Sequence, residues 1–309
     1  MKFLDWLFRH PRKETLAGSP PVVDKLRTTL RNLERLPTMS EAARRAMVVA
    51  RSPDVTAHDL AHLIEKDPAL AASLLKLANS PLYRTGGAVQ SISEAVVRIG
   101  LRETYNMILA VATRSLFRHL PRAQHLRYTE LWEHSFLTAC LCRKLNRRLG
   151  LGFKGDEFTC GLMHDIGRLL IALGAPNHFE EADPMDFAEG PDLLAHEREV
   201  LGTDHCDLGA WYANVNQLPE AVVECVEFHH TPADTPDDAV LPALVACADH
   251  LANFYQRERR SEGYDAASNP AWPLLAARAG LDDVDFEELA QPILAAAIEE
   301  ASGGYSAAA

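Results

Sequence analysis

The 309-residue sequence has no apolar run approaching the ~18–20 residues that a bilayer-spanning helix needs. Its opening segment, Met1 to Arg9, is too short for a secretory signal and carries Asp5 inside it. Strand-like alternation is almost missing. None of the six cysteines (Cys140, Cys142, Cys160, Cys206, Cys225, Cys247) forms a C-x-x-C pair, which argues against a zinc ribbon or a dithiol redox motif. They sit in apolar, helix-like stretches and read as reduced core thiols. Positive charge is also short, with 31 Lys+Arg against 43 Asp+Glu and a net charge of −12. No nucleic-acid partner is expected from that balance, because phosphate backbones want a basic face. What remains is a soluble, cytoplasmic protein as the expectation, with no transmembrane segment.

What is present is helix-forming material, 47% hydrophobic and 24% charged, long enough for two domains or one large bundle. Thr38-Met39-Ser40-Glu41 and Ser91-Ile92-Ser93-Glu94 have the form of capping boxes, and Thr56-Ala57-His58-Asp59 opens a helix in a similar way. Asp67-Pro68 starts another, with proline where a missing N–H does no harm, and it ends near Asn79-Ser80-Pro81. Gly100 ends or bends the next helix, and an apolar stretch runs from Leu101 to Phe117. Further helices are predicted over 129–149, 157–173 (interrupted at Gly167), 193–200, 205–214, 219–229, 240–257 and 286–301. A loop is expected over 174–192 and a variable connection over 259–273. The fold class is therefore all-α, with no fixed-period repeat.

Four regions are expected. They are a flexible lead-in over 1–22, an N-terminal helical subdomain over 23–120, a site-bearing helical subdomain over 121–258, and a C-terminal extension with a helix over 259–309. The boundary falls at Pro121 and the polar residues after it. Phe3, Leu4, Trp6, Leu7 and Phe8 crowd one face beside Lys2, Arg9, Arg12 and Lys13. A terminal turn packed on its own protein is the favoured reading of them, with contact to a membrane surface or a partner through residues 1–9 as the other.

The chemistry lies in the 13 histidines. His164-Asp165 places an imidazole beside a carboxylate; adjacent helical residues diverge by about 100°, so both can line one pocket only where a helix end faces it. Glu130 and His134, four apart, share a helix face. His205 opens a helix, His229-His230 ends one, and Asp249 sits within an otherwise apolar run. Any one of these alone reads as a core histidine, a buried carboxylate or a solvated helix residue. Together, a His/carboxylate set without cysteine suits one or two divalent ions (zinc, manganese or iron) that acidify water for attack on phosphorus.

The ordered set Glu130, His134, His164-Asp165-Ile166-Gly167, His205, His229-His230 and Asp249 resembles the HD superfamily of metal-dependent phosphohydrolases in its HD-GYP arrangement. The wider text resembles the HDOD (HD-related output domain) family more closely. That likeness is carried by Leu36-Pro37, Asp67-Pro68-Ala69-Leu70, Leu74-Leu75-Lys76-Leu77-Ala78-Asn79-Ser80-Pro81, Leu131-Trp132-Glu133-His134-Ser135, Gly161-Leu162-Met163-His164-Asp165-Ile166-Gly167 and Gly202-Thr203-Asp204-His205. It covers about residues 25–257. The resemblance implies an HD-type helical bundle and a bacterial signal-transduction module. Such a module works by binding signalling proteins or a phosphorylated small ligand, with Glu130, His134, His164, Asp165, His205, His229, His230 and Asp249 as metal ligands. It also implies a stand-alone copy, since no receiver or cyclic-nucleotide signalling segment fits in the remaining residues. The alternative it implies is an active phosphohydrolase in which Asp165 and Arg168 carry catalysis. Two departures weigh against turnover: no Gly-Tyr-Pro follows His229-His230, and Arg168 stands where active HD-GYP enzymes carry lysine. Arginine can hold a phosphate but cannot act as an acid near neutral pH.

Overall fold

The computed structural model describes residues 41–308 apart from 51, 53, 81–82, 84–85, 118–124, 190–191, 217 and 237–238. The aromatic N-terminal segment, the Thr38–Glu41 box and the Pro121 boundary lie outside the described residues. Among those described there is no strand, so the chain is all-α as the periodicity predicts.

Among the described residues, five helices come first: α1 (Glu41–Ala50), α2 (Ala57–Ile64), α3 (Pro68–Ala78), α4 (Ile92–Ile99) and α5 (Leu101–Phe117). Their starts are written in the sequence. Thr56 and Asp59 satisfy each other's backbone N–H groups in a reciprocal box, and Asp67 accepts from the N–H groups of Ala69 and Leu70. Ser91 caps Glu94 N, but the Glu94 carboxylate turns to Arg98 at 3.6 Å, so that box is half closed. Gly100, at φ +88°, separates α4 from α5 in a conformation a side chain rarely adopts.

The central helix α6 (His125–Leu149) is enclosed on nearly every side. Packed on it are α5, α7 (Asp156–Met163), α13 (Val240–Glu258) and the C-terminal α15 (Phe286–Ala308), and α15 also crosses onto α3 and α5. Around them lie α8 (Ile166–Gly174), α9 (Phe179–Ala182), α10 (Leu193–Leu201), α11 (His205–Val215), α12 (Glu220–Phe228) and α14 (Trp272–Ala279). Two of these are not predicted: α9 lies inside the 174–192 loop, and α14 begins at the end of the 259–273 connection and runs past it; one is only four residues long and the other starts on Trp272-Pro273, too little periodicity to read. The predicted 157–173 helix is two helices, and the break is not at Gly167 but at His164-Asp165.

Gly167 has another role. A Cβ there would overlap the carbonyl oxygen of His205, so only glycine lets α8 lie against the start of α11. Gly161 does the same for α7, where a Cβ would stand 2.8 Å from Ala139 Cα on α6. All six cysteines are buried and unpaired. No helix among the described residues is long and apolar enough to cross a membrane.

Gly167→Ala should lower the free energy of unfolding by about 3 kcal/mol or more, because backbone rather than a flexible side chain must move. Gly86→Ala, where a Cβ meets open space, should stay within about 0.5 kcal/mol of wild type. Urea denaturation of both variants checks the contrast.

Candidate metal centre

The helix break explains how adjacent residues share one pocket. His164 is the residue just after α7 and Asp165 the one just before α8, so the chain pivots between them. His134 reaches in from the middle of α6, Asp249 from α13, His205 from the first position of α11, and His229-His230 from just beyond α12. Asp204 caps α11 by accepting from Asp207 N at 2.8 Å, which fixes where His205 emerges.

Two groups of donor atoms meet at Asp165. On one side, Asp165 Oδ2 is 3.4 Å from His164 Nε2 and 3.7 Å from His134 Nε2. The two Nε2 atoms are 3.3 Å apart, and Asp249 Oδ1 lies 2.9 Å from that of His134 and 3.5 Å from that of His164. On the other side, Asp165 Oδ1 is 3.5 Å from His205 Nε2 and 3.6 Å from His229 Nε2, themselves 3.4 Å apart. Most of these spacings are too long for good hydrogen bonds. They match the edge of a coordination tetrahedron with bonds of about 2.1 Å, which is about 3.4 Å. Neither carboxylate oxygen of Asp165 has a hydrogen-bond partner, although the side chain is only 1% exposed.

The rings are held through their second nitrogens. His164 Nδ1–H donates to the Gly161 carbonyl at 2.8 Å and His229 Nδ1–H to the Val226 carbonyl at 2.9 Å. His205 Nδ1–H donates to Glu197, whose carboxylate also accepts from His205 N at 2.8 Å. With Nδ1 so engaged, each Nε2 faces inward, where its lone pair is open to a metal once the ring is neutral, the arrangement seen around metal-ligating histidines.

The electrostatics are those of a site short of positive charge. Burial would raise the carboxyl of Asp165, but Arg168 and His164 hold it well below the ordinary range; Asp249 is held low against burial by His134 and His164. Burial would lower His164, yet Asp165 and Asp249 raise it to about 10. His229, with no such pair to itself, is pushed by burial down to about 4.

Not every predicted residue arrives. Glu130 is not brought in: its carboxylate is one-third exposed and pairs with Arg259 at 3.6 Å, one turn away from where His134 enters the core. Nor does Arg168 face a site. It is 1% exposed beneath three carboxylates, with Asp165 and Asp183 each at 3.3 Å and Glu189 closer still. The guanidinium therefore offers no open edge to a phosphate. His230 stands at the rim, its Nε2 without a hydrogen-bond partner and 3.9 Å from Glu189.

Sequence reasoning missed Glu197, Asp183 and Glu189. The last two come from a loop in which Met185, Phe187 and Glu189 all have positive φ. That loop lays Phe187 5.2 Å from the His134 ring and sets Glu189 against Arg168 and Asn253. Strain of this kind persists only where the surroundings impose it. Burial pushes Glu189 up to about 8. Beside it opens a cavity of about 670 Å³, whose polar wall includes Glu189, His229, His230, Asp249, His250 and Asn253. Ala233, Ala246, Ala271 and Leu274 form its apolar side.

A family model of the HDOD domain matches residues 36–232, a segment that includes every histidine of the cluster and stops before Asp249. The chain belongs to the HDOD family. A crystal structure of an HDOD domain protein of unknown function from Geobacter sulfurreducens is 26% identical, with a TM-score of 0.70 over 90% of this chain and 95% of that one. A protein of Shewanella amazonensis, provisionally assigned as a phosphohydrolase, is 26% identical with a TM-score of 0.69, covering 91% and 98% of the two chains. An uncharacterized protein of Treponema pallidum is 27% identical over 231 residues, and the match spans 74% of this HDOD chain but only 43% of that protein.

In the metal-free HDOD chain, His229 contributes stability that is fully present above about pH 6.5, the ordinary histidine value, and is lost as pH falls toward its folded value of about 4. The unfolded chain binds the proton first, so acid favours unfolding. Denaturation midpoints of chelated protein should fall more steeply between those limits than those of His229→Gln; parallel curves would show that the ring is not buried neutral.

Proposed function

We propose that this HDOD chain is a signal-transduction regulatory protein that binds divalent metal ions through His134, His164, Asp165 and Asp249 on one side and Asp165, His205, His229 and His230 on the other. The observation that carries this reading is Asp165, a buried carboxylate with both oxygens free of hydrogen bonds and each aimed at a different set of histidine Nε2 atoms. A bound divalent cation would supply the missing positive charge, hold phosphate oxygens and acidify a water. The donor set, nitrogen and oxygen with no thiolate required, suits iron, manganese or zinc.

The work assigned to the centre is binding of a phosphorylated small ligand, with the signal passed to a partner protein. The adjoining cavity supports this: His230, His250 and Asn253 offer polar contacts beside the centre, and the alanine and leucine wall fits an apolar ring. Binding is favoured over turnover because Arg168, the cation beside Asp165, is enclosed by carboxylates. The second reading, hydrolysis of a phosphoester, rests on the completeness of the two donor groups beside an open cavity.

Protein purified without a metal-affinity tag from iron- and manganese-supplemented cells should carry about one to two equivalents of metal. Asp165→Ala should empty both sides, whereas Glu130→Gln should keep wild-type content. Chelation should lower stability by about 2.7 kcal/mol when free metal stands near a hundred times its Kd. Less than a tenth of an equivalent in wild type would end the metal reading. Measurable single-turnover cleavage of nucleotide phosphoesters by the metal-loaded protein would replace the binding reading with the hydrolytic one.

A further inference from the structure

A second cavity of about 670 Å³ shares no residue with the metal centre. It opens where Gly100 breaks the chain between α4 and α5, and its other walls come from α6, the α6–α7 turn and α15. Four cations line it, Arg102, Arg143, Arg147 and Lys154, against two carboxylates, Glu103 and Glu300. In a chain of net charge −12 this convergence runs against the average surface.

The two carboxylates are already taken. Glu103 pairs with Arg143 and, at 3.5 Å, with Arg147; Glu300 pairs with Arg143 and, at 2.7 Å, with Lys144. Among the described residues, neither Arg102 nor Lys154 has an ion-pair partner. Both are exposed toward solvent at the cavity mouth. Arg143, only 7% exposed, holds both carboxylates at the back of the cavity and so leaves the outer cations without a counter-charge. The first turn of the 17-residue α5, which carries Leu101 and Arg102, adds backbone N–H groups at the end of a helix where anions are stabilised. Tyr83, Ile99 and Leu101 supply the apolar remainder.

We propose that this cleft is a second ligand site, for a phosphate-bearing small anion, built where the N-terminal helices meet α6 and α15. Arg102 and Lys154 would bracket the phosphate. The volume lies within the usual range for small-ligand sites. Free phosphate and a phosphomonoester share this chemistry, and the apolar side favours the ester. The site does not depend on the metal reading, since none of its residues belongs to the centre.

The test is calorimetric titration of the full chain, stripped with chelator, with inorganic phosphate and separately with adenosine monophosphate. Saturable one-to-one binding is expected that weakens as salt is raised. Arg102→Ala/Lys154→Ala should weaken it at least about tenfold. Lys66→Ala/Arg260→Ala removes the same charge from exposed residues elsewhere and should leave it unchanged. Tighter binding of the nucleotide would assign the ester, and equal binding would assign phosphate alone. Absence of saturable binding by either probe, or an affinity in the Arg102/Lys154 variant within twofold of wild type, would overturn the proposal.

Discussion

The buried carboxylate of Asp165 constrains everything around it. Moving an ionised carboxylate from water into a protein interior costs several kcal/mol unless opposite charge and hydrogen bonds meet it. Here hydrogen bonds do not, since both oxygens lack them, so charge must. Arg168 stands 3.3 Å from one oxygen but is shared with Asp183 and Glu189, which leaves the local sum negative. The histidines respond unequally: the one flanked by both Asp165 and Asp249 holds a proton strongly, while the one facing Asp165 alone stays neutral. Protons and divalent ions are thus alternative answers to the same deficit, which couples occupancy of the centre to pH.

Placing that carboxylate requires tight backbone contact. The turn at His164-Asp165 ends one helix and begins another, and α8 can lie against α11 only because Gly167 has no Cβ to strike the His205 carbonyl. Gly209 meets the same junction from the other side, where a Cβ would sit 2.6 Å from Val226 Cγ1 and 3.2 Å from Gly167 N. The H-D-I-G stretch is therefore one mechanical unit. Two residues present donor atoms and the glycine sets the distance at which the next donor, His205, can approach. Glu197 completes the unit by gripping both the backbone N–H and the ring of His205.

How much of this is legible in the sequence follows from what kind of contact is involved. Helix starts were readable at Thr56, Asp67 and Ser91 because a cap is a local bargain between residues three apart. The histidines were readable as a set because metal chemistry limits which side chains can serve. The sequence puts the break at Gly167, two residues beyond Asp165, since a glycine is the usual mark of interruption and here it marks close packing instead. The four-residue spacing of Glu130 from His134 fixes a helix face and not the depth at which each side chain ends. Asp183, Glu189 and Glu197 were invisible for the opposite reason: their partners, Arg168 and His205, lie 15, 21 and 8 residues away with no shared period.

The surroundings of Arg168 bear on what the centre can do. A guanidinium that assists phosphoryl chemistry must have an edge free when charge develops on the substrate. In this chain the strained 183–189 loop closes that edge, bringing Asp183 and Glu189 to the same cation and seating Phe187 against the His134 ring. The loop is held at its far end as well, by Arg257 on the Phe187 carbonyl and Asn253 on Glu189. Opening it would strand Arg168 beside fewer carboxylates and expose the Phe187 ring together, so the closed form is stabilised by two separate terms. A ligand phosphate reaching the centre would then meet cations held by histidine and Asp249, with the arginine already committed to the protein. On the proposed metal reading, that division, with metal for the ligand and arginine for the loop, fits a site that recognises a phosphate and retains it.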